Sequence, residues 1–311
     1  MSDFIINEEL RTLENLDFFA RQVVEGFITG LHKSPYHGFS VEFAEHRIYN
    51  VGESTRNIDW KLFARTDKLF VKRYEEETNL RCQLILDRSS SMQFPVQKKL
   101  NVSAPNKIGF SILAAAALMN LFKRQRDAVG LSVFSSKVQL HTPSKTSASH
   151  HKWLLSELEN LAIPFNESEK ENTDVVAALH EIAERIHKRS LVVLFSDLLG
   201  DQSRSDELFS ALQHLKYNKH EVIVFHVIDR SKEIEFNFKS RLHKFIDLET
   251  GEEMKVNPIE LKEAYLKSMS RFEKELLLNC GQYNIDFVPV DTSKGFEQVL
   301  LNYLLKRKKM L

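Results

Sequence analysis

The sequence predicts an α/β fold of three layers, in which a mostly parallel, doubly wound sheet lies between helices. Two observations predict this class. Compact runs of β-branched and other apolar residues recur from residue 81 to residue 229, and segments with helical periodicity separate the runs. Such runs are apolar on both faces, which suits a parallel sheet that helices cover on both sides.

Strands and helices alternate along the central part of the chain. The strands are predicted at RCQLILD (81–87), VGLSVFS (129–135), SLVVLFSD (190–197) and HEVIVFHVID (220–229). The helices are predicted at about 106–126, 148–161, 173–188 and 205–217. VQLHTP (138–143) is predicted to form a short antiparallel edge strand that pairs with the strand at 129–135.

The N-terminal part is predicted to form a separate small unit. Residues 1–79 are interpreted as an α+β extension, and residues 80–311 as the main domain. Within the extension we expect a helix at 8–28, a strand through Phe39, Val41 and Phe43, a short helix at 58–65 and an extended segment at 68–77.

The C-terminal part departs from the alternation. KFIDLETGEEMKV has a glycine-containing turn between two extended halves, which predicts a hairpin insertion near 231–257. A helix at about 258–280 begins with proline, a strand follows at 285–291, and a last helix at about 294–308 ends in KRKK.

Charge and cysteine content narrow the classes of function. The 43 basic and 43 acidic residues give no electrostatic reason to expect binding to nucleic acid or to an anionic membrane. Cys82 and Cys280 have no metal-type spacing, so a reducing compartment is the simplest interpretation. The chain starts with an acidic segment, and its longest apolar stretch (108–122) is too short to cross a bilayer. We therefore expect a cytoplasmic protein without a transmembrane segment.

Oxygen-bearing side chains follow two of the predicted strands. Asp87 ends the first strand and Asp197 ends the third, while Ser89 and Ser91 stand at alternate positions after Asp87. Ligands of doubly wound sheets bind beyond the C-terminal ends of the strands, where these residues are expected to meet. Carboxylates and hydroxyls are hard ligands, so this set predicts Mg²⁺ rather than zinc.

Helix capping and catalysis are the competing interpretations of these residues. Thr173 opens the helix at 173–188 and is either its N-cap or a further ligand. Asp87, Ser89 and Ser91 lie well before the next helix, so capping explains at most one of them. DRSSS lacks the glycines of a nucleophile elbow, and the chain has no P-loop motif.

These residues resemble the metal-ion-dependent adhesion site (MIDAS) of von Willebrand factor type A domains, which combines Asp-x-Ser-x-Ser, a Thr and an Asp. Asp87, Ser89 and Ser91 match its first loop, Thr173 its second and Asp197 its third. The resemblance implies a von Willebrand factor type A-like fold. It also implies a divalent ion, Mg²⁺ or else Mn²⁺ or Ca²⁺, with one coordination position open to an acidic side chain of a protein partner.

The N-terminal segment resembles the signature of the bacterial domain-of-unknown-function family 58. The matching residues are Glu45, Arg47, Tyr49, Gly52, Arg56, Ile58, Asp59, Trp60, Ala64 and Arg65. Trp60 is expected in a core. Arg47, Arg56, Asp59 and Arg65 form either a solvated face, a buried ion network or a surface for partner docking. Two positions depart from the family pattern: Glu53 replaces an Asp, and Asn172 stands where Gly is common.

The resemblance to this family implies a non-enzymatic role. Its members are similar to adaptors or co-chaperones of MoxR-type AAA+ ATPases, so we expect the ATPase or its client as the protein partner. Peripheral association with membrane-anchored partners is compatible with this role. Two alternatives stay open: a metal-dependent hydrolase that uses the same cluster, with Asp174 as an extra acid, and a structural scaffold with an empty site.

Overall fold

The computed structural model describes residues 16–31, 45–49, 60–73, 80–97, 99–162, 175–199, 205–248, 251–295, 299–303 and 305. The chain forms two compact units, of which one is Ile28–Asn79 and the other combines Met1–Phe27 with Leu80–Leu311. The division falls within the first helix, α1 (Leu16–Leu31), for which the sequence predicted residues 8–28. Residues 8–15 of that prediction lie outside the described part.

The smaller unit contains a two-stranded antiparallel sheet and a short helix. β1 (Glu45–Ile48) pairs with β2 (Phe70–Arg73), and α2 (Trp60–Thr66) lies between them in the sequence. α2 and β2 match the predicted helix and extended segment, whereas the strand predicted through residues 39–43 lies outside the described residues. β1 was not predicted, because its sequence EHRI has no apolar alternation.

The larger unit is built on a six-stranded sheet of order β10-β7-β6-β3-β4-β5. Its strands are β3 (Arg81–Asp87), β4 (Ala128–Phe134), β5 (Val138–His141), β6 (Leu191–Ser196), β7 (Glu221–Ile228) and β10 (Asp286–Asp291). Neighbouring strands are parallel except for β4 and β5. The mostly parallel sheet and its antiparallel edge strand are thus confirmed.

Helices cover both faces of this sheet. On one face α5 (Val175–Arg185), α6 (Ser205–Tyr217) and α7 (Pro258–Gln282) share a buried core with Ile85, Val192 and Val224. On the other face lie α3 (Lys107–Arg124) and α4 (Ala148–Leu161). Every residue of β4 and β6 is buried, as expected of strands covered on both sides. The predicted three-layer α/β class is therefore confirmed.

α3 is buried along almost its whole length. All of its residues from Lys107 to Phe122 are buried. The side chain of Asn106 caps the helix, since its Oδ1 accepts the N–H of Gly109 at 2.9 Å. In the described part of the chain, no helix combines the length and apolar character that crossing a bilayer requires.

The C-terminal elements follow the prediction, with one addition. β8 (His243–Ile246) and β9 (Glu253–Val256) form the expected antiparallel hairpin, and Gly251 supplies a positive φ of 76° before β9. α7 begins at Pro258 as predicted, and residues 299–303 of the predicted last helix are helical. A π-helical turn at Arg230–Ile234, directly after β7, was not predicted.

Candidate metal centre

Asp87 lies at the C-terminal end of β3 and is only 1% exposed. Two hydrogen bonds hold its carboxylate. Oδ1 accepts the N–H of Ser89 at 2.8 Å, and Oδ2 accepts the hydroxyl of Ser196 at 2.5 Å. Ser196 is the last residue of β6, the strand next to β3. The Asp87 carboxylate is therefore fixed between the ends of two neighbouring strands.

The hydroxyls of Ser89 and Ser91 lie together beside Asp87. Their Oγ atoms are 3.0 Å apart, and Ser89 is buried. Ser89 precedes a 3-10 turn (Ser90–Gln93), but its side chain makes no capping hydrogen bond there. Because Asn106 caps α3, none of these oxygens serves as the N-cap of the following helix. Arg88 lies between Asp87 and Ser89 in the sequence, and its side chain points away from them. Its Nη1 donates to Gln139 Oε1 on β5 at 3.3 Å.

Asp197 follows β6 and is also 1% exposed. Its Oδ2 accepts a hydrogen bond of 2.6 Å from Nζ of Lys107, and its Oδ1 accepts one of 3.0 Å from the N–H of Leu199. The carbonyl oxygen of Asp197 accepts a bond of 2.8 Å from Nε2 of His226 on β7. The side chain and the backbone of Asp197 are thus both held in place.

Lys107 and its second partner, Glu233, were missed by the sequence interpretation. Lys107 is the first residue of α3, its side chain is fully buried, and its Nζ also donates to Glu233 Oε1 at 2.5 Å. A positive charge at a helix N-terminus opposes the helix dipole. A lysine directly before the apolar stretch at 108–122, at the N-terminal end of the predicted helix, was therefore the signal that marked Lys107 as unusual.

Burial and a neighbouring negative charge dominate the electrostatics of Asp87. Burial, followed by the negative charge of Asp197, raises the pKa of Asp87 from 3.8 to about 6, although hydrogen bonds from Ser196 and Ser89 act in the opposite direction. For Lys107, burial alone would lower the pKa, but Asp197 and Glu233 outweigh it and the pKa is raised. The ammonium therefore stays charged although it is buried.

The other predicted residues fall into two groups, those outside the described part of the chain and those in or beside β1 and α2. Thr173, Asp174, Arg56 and Asp59 lie outside the described residues, so their predicted roles stay predictions. Trp60 is 60% exposed and contacts Phe63 edge-on, which corrects the expectation that its indole belongs to a core. Arg65, in the last turn of α2, is exposed, which does not support a buried ion network at this position. Arg47 lies in β1 and Tyr49 directly follows it.

The side chains at the end of the sheet suit a small, hard cation. Among the described residues, no group of three or more His, Cys, Asp or Glu side chains is placed to hold a metal ion. A cation at this position would depend on hydroxyl oxygens as well as on Asp87 and Asp197. Neighbouring ligands of an octahedral Mg²⁺ with bonds of about 2.1 Å lie about 3.0 Å apart. The separation of the Ser89 and Ser91 hydroxyls, 3.0 Å, matches that spacing.

The chain is similar to proteins whose function is not known. Residues 45–275 match the family model described as "Protein of unknown function DUF58". Uncharacterized proteins of Mycobacterium tuberculosis and Mycobacterium bovis are each 23% identical to it over 217 residues. These matches cover 70% of this chain, and the chain spans 64% of the length of the curated relatives.

The solved structures that are similar to this chain include a bacterial protein and a VWA domain. The conserved hypothetical protein BatB from Bacteroides thetaiotaomicron has a TM-score of 0.40 and 14% identity, and the match covers 74% of this chain and 99% of that one. The SpRpn10 VWA domain has a TM-score of 0.37 and 12% identity, and the match covers 72% of this chain and 94% of that one.

Proposed function

The chain belongs to the DUF58 family, and from the residues at the end of its sheet we propose that it is a non-enzymatic, cation-dependent protein-interaction module. In this proposal Asp87, Ser89, Ser91 and Asp197 bind Mg²⁺, with Mn²⁺ or Ca²⁺ as substitutes. Thr173 is a further proposed ligand. The single observation that carries the proposal is the pair of adjoining hydroxyls, 3.0 Å apart, beside the buried carboxylate of Asp87, which in turn interacts electrostatically with the buried Asp197.

The charge of the site supports the cation. Asp87 and Asp197 repel each other, and burial adds to the cost of keeping Asp87 ionised at neutral pH. A divalent cation between the two strand ends would remove that repulsion and replace it with attraction. We therefore expect cation binding to stabilise the folded protein.

The chemistry that the cation would supply is an open coordination position for an anionic ligand. Hard divalent ions take six or more oxygen ligands, and the described side chains offer few of them. A carboxylate from a protein partner is the natural ligand to complete such a set. In this proposal the protein residues only hold the cation and orient its open side, and no bond of the partner is broken.

The proposed partner is a MoxR-type AAA+ ATPase or a client of that ATPase. This part rests on the family resemblance of the sequence and not on any contact in the molecule. The adaptor would act in the cytoplasm, with residues 1–79 as a signature-bearing extension of the cation-binding domain. Because the chain spans 64% of its curated relatives, the role of a whole adaptor protein is part of the proposal.

Cation binding is tested by calorimetry and thermal unfolding with Mg²⁺ or Mn²⁺ added to chelator-treated protein. We expect a saturable rise in the unfolding temperature for the wild type, and none for Asp87→Ala. Ser89→Ala and Ser91→Ala should weaken the binding. Ser90→Ala is the matched control, because Ser90 lies between these serines and is assigned no ligand role. Wild-type protein that binds neither cation would overturn the proposal.

Partner binding is tested with a purified MoxR-type ATPase immobilised on a surface. We expect capture that is lost in chelator and in Asp87→Ala and kept in Ser90→Ala. Capture that persists in both chelator and Asp87→Ala would contradict a cation-bridged contact. Turnover of phosphoester or peptide substrates by the wild type, lost in Asp87→Ala, would instead establish the metal-dependent hydrolase.

A further inference from the structure

Lys107 places a positive charge inside the candidate cation site. Its Nζ lies 2.6 Å from Oδ2 of Asp197 and 2.5 Å from Oε1 of Glu233, and its side chain is fully buried. The two carboxylates come from distant parts of the chain, since Asp197 follows β6 and Glu233 lies in the π-helical turn after β7. One ammonium is thus shared between a proposed ligand and a second acid.

Both carboxylates that hold Lys107 are themselves fixed. Asp197 Oδ1 accepts the N–H of Leu199 at 3.0 Å, and Glu233 Oε2 accepts the N–H of Asp229 at 2.8 Å. The carbonyl oxygen of Glu233 also accepts the hydroxyl of Tyr265, on α7, at 2.7 Å. The ammonium is therefore held between two acceptors that are anchored on different elements.

The position of Lys107 is costly in two ways that its partners offset. A buried ammonium loses its hydration, and a cation at the first residue of α3 opposes the helix dipole. The negative charge of Asp197 alone would balance the positive charge of Lys107, yet Glu233 adds a second negative charge. With Asp87, the described site holds three carboxylates and one ammonium, so when all are ionised it keeps two negative charges. A divalent cation carries the charge that balances them.

We propose, on the basis of the proposed cation site, that Lys107 is a resident counter-ion that lowers the affinity of this site for divalent cations. The ammonium of Lys107 competes with a divalent cation for the carboxylate of Asp197. Glu233 limits that competition, because it attracts the same ammonium toward the turn after β7. The opposite role is a lysine that positions Asp197 as a ligand, in which case its removal would weaken cation binding. The two roles therefore predict opposite signs for the same substitution.

The experiment is calorimetric titration of Mg²⁺ and Mn²⁺ into chelator-treated full-length variants. Lys107→Met removes the positive charge and should raise cation affinity by roughly tenfold or more. Glu233→Gln keeps an acceptor for the N–H of Asp229 but removes a negative charge, so it should lower affinity by roughly tenfold. Thermal unfolding of the same samples gives a second readout. In Lys107→Met, the stability gained on adding cation should exceed that of the wild type.

Two matched controls separate this effect from general damage to the fold. Ser111→Ala removes a buried hydroxyl that donates to the carbonyl oxygen of Lys107 on the same helix. Lys244→Met makes the same change as Lys107→Met, but at an exposed lysine that pairs with Glu253 in the β8–β9 hairpin. Both should leave cation affinity within about twofold of the wild type, because neither changes the charge beside Asp197.

The outcomes distinguish this inference from the proposed function. If the wild type binds neither cation, the proposed cation site itself fails, whatever Lys107→Met does. If the wild type binds and Lys107→Met binds equally or more weakly, only the counter-ion role is overturned. If Lys107→Met does not fold, Lys107→Gln, which keeps a hydrogen-bond donor for Asp197 but carries no charge, decides in its place: higher affinity than the wild type supports the role, and equal or lower affinity refutes it.

Discussion

The hydroxyl of Ser196 donates a hydrogen bond of 2.5 Å to Oδ2 of Asp87, and this bond joins the ends of β6 and β3. The same Ser196 oxygen accepts the N–H of Leu198 at 2.9 Å. Ser196 therefore connects the strand that carries Asp87 to the loop that carries Asp197. Its hydroxyl links the two segments that the sequence predicted to form one site.

Replacing Ser196 with alanine should affect both stability and cation binding. Ser196→Ala leaves buried polar groups without a partner and should lower the free energy of unfolding by about 1–3 kcal/mol. Asp87 also loses a group that orients it, so Mg²⁺ affinity should fall roughly tenfold. Ser132→Ala is the matched control, because this buried β4 hydroxyl accepts from Gln83 and does not touch Asp87. Equal losses of cation affinity in both variants would contradict the assigned role of Ser196.

Asp87 should make the cation-free protein less stable as the pH rises. Its folded-state pKa of about 6 lies above the ordinary 3.8, so the folded protein holds this proton more tightly than the unfolded chain. The stability that the proton contributes is present below pH 3.8 and is lost as the pH rises through about 6. A shift of about two units corresponds to about 3 kcal/mol.

The check is to compare the pH dependence of unfolding for the wild type and Asp87→Asn in chelator. Relative to Asp87→Asn, the wild type should lose about 3 kcal/mol between about pH 4 and about pH 7. Saturating Mg²⁺ should reduce this loss at neutral pH. Parallel curves for the two proteins would show that burial of Asp87 carries no such penalty.

His226 should contribute with the opposite sign. Burial lowers its pKa from 6.5 to about 4, against the opposing effect of Asp197, so the folded protein keeps the imidazole neutral. Its contribution to stability is present above pH 6.5 and is lost as the pH falls through about 4. His226→Gln retains a donor for the Asp197 carbonyl but cannot titrate. Below about pH 6.5 the wild type should lose up to about 3 kcal/mol relative to this variant in denaturant titrations.

Two glycines offer a matched test of packing, one in β4 beside the edge strand β5 and one in α7. A Cβ on Gly130, in β4, would lie 2.4 Å from Oε1 of Gln83 and 2.7 Å from the carbonyl oxygen of Thr142. Gly130→Ala should therefore lower the free energy of unfolding by about 1–3 kcal/mol. A Cβ on Gly281, in α7, meets nothing within 4 Å, so Gly281→Ala should raise it by up to about 1 kcal/mol. Denaturant unfolding measures both, and similar effects would contradict this packing.

The accuracy of the sequence-based prediction follows the strength of the local pattern. β3, β6 and β7 carry dense apolar runs, and the structure places them within one residue of the predicted bounds. The π-helical turn at Arg230–Ile234 and the strand β1 have no such pattern and were missed. Trp60 was misjudged for a related reason, since an aromatic residue on a short amphipathic helix predicts burial only if a partner surface covers it.

The sequence by itself determined the three-layer class and the placement of Asp87 and Asp197 at strand ends, because the apolar runs and the residues that end them are local features of the chain. The tertiary structure alone decided which groups surround those carboxylates. Lys107 meets Asp197 across 90 residues, and Ser196 meets Asp87 across 109. Such contacts depend on how the start of α3 and the end of β6 come together, and no spacing along the chain encodes that distance.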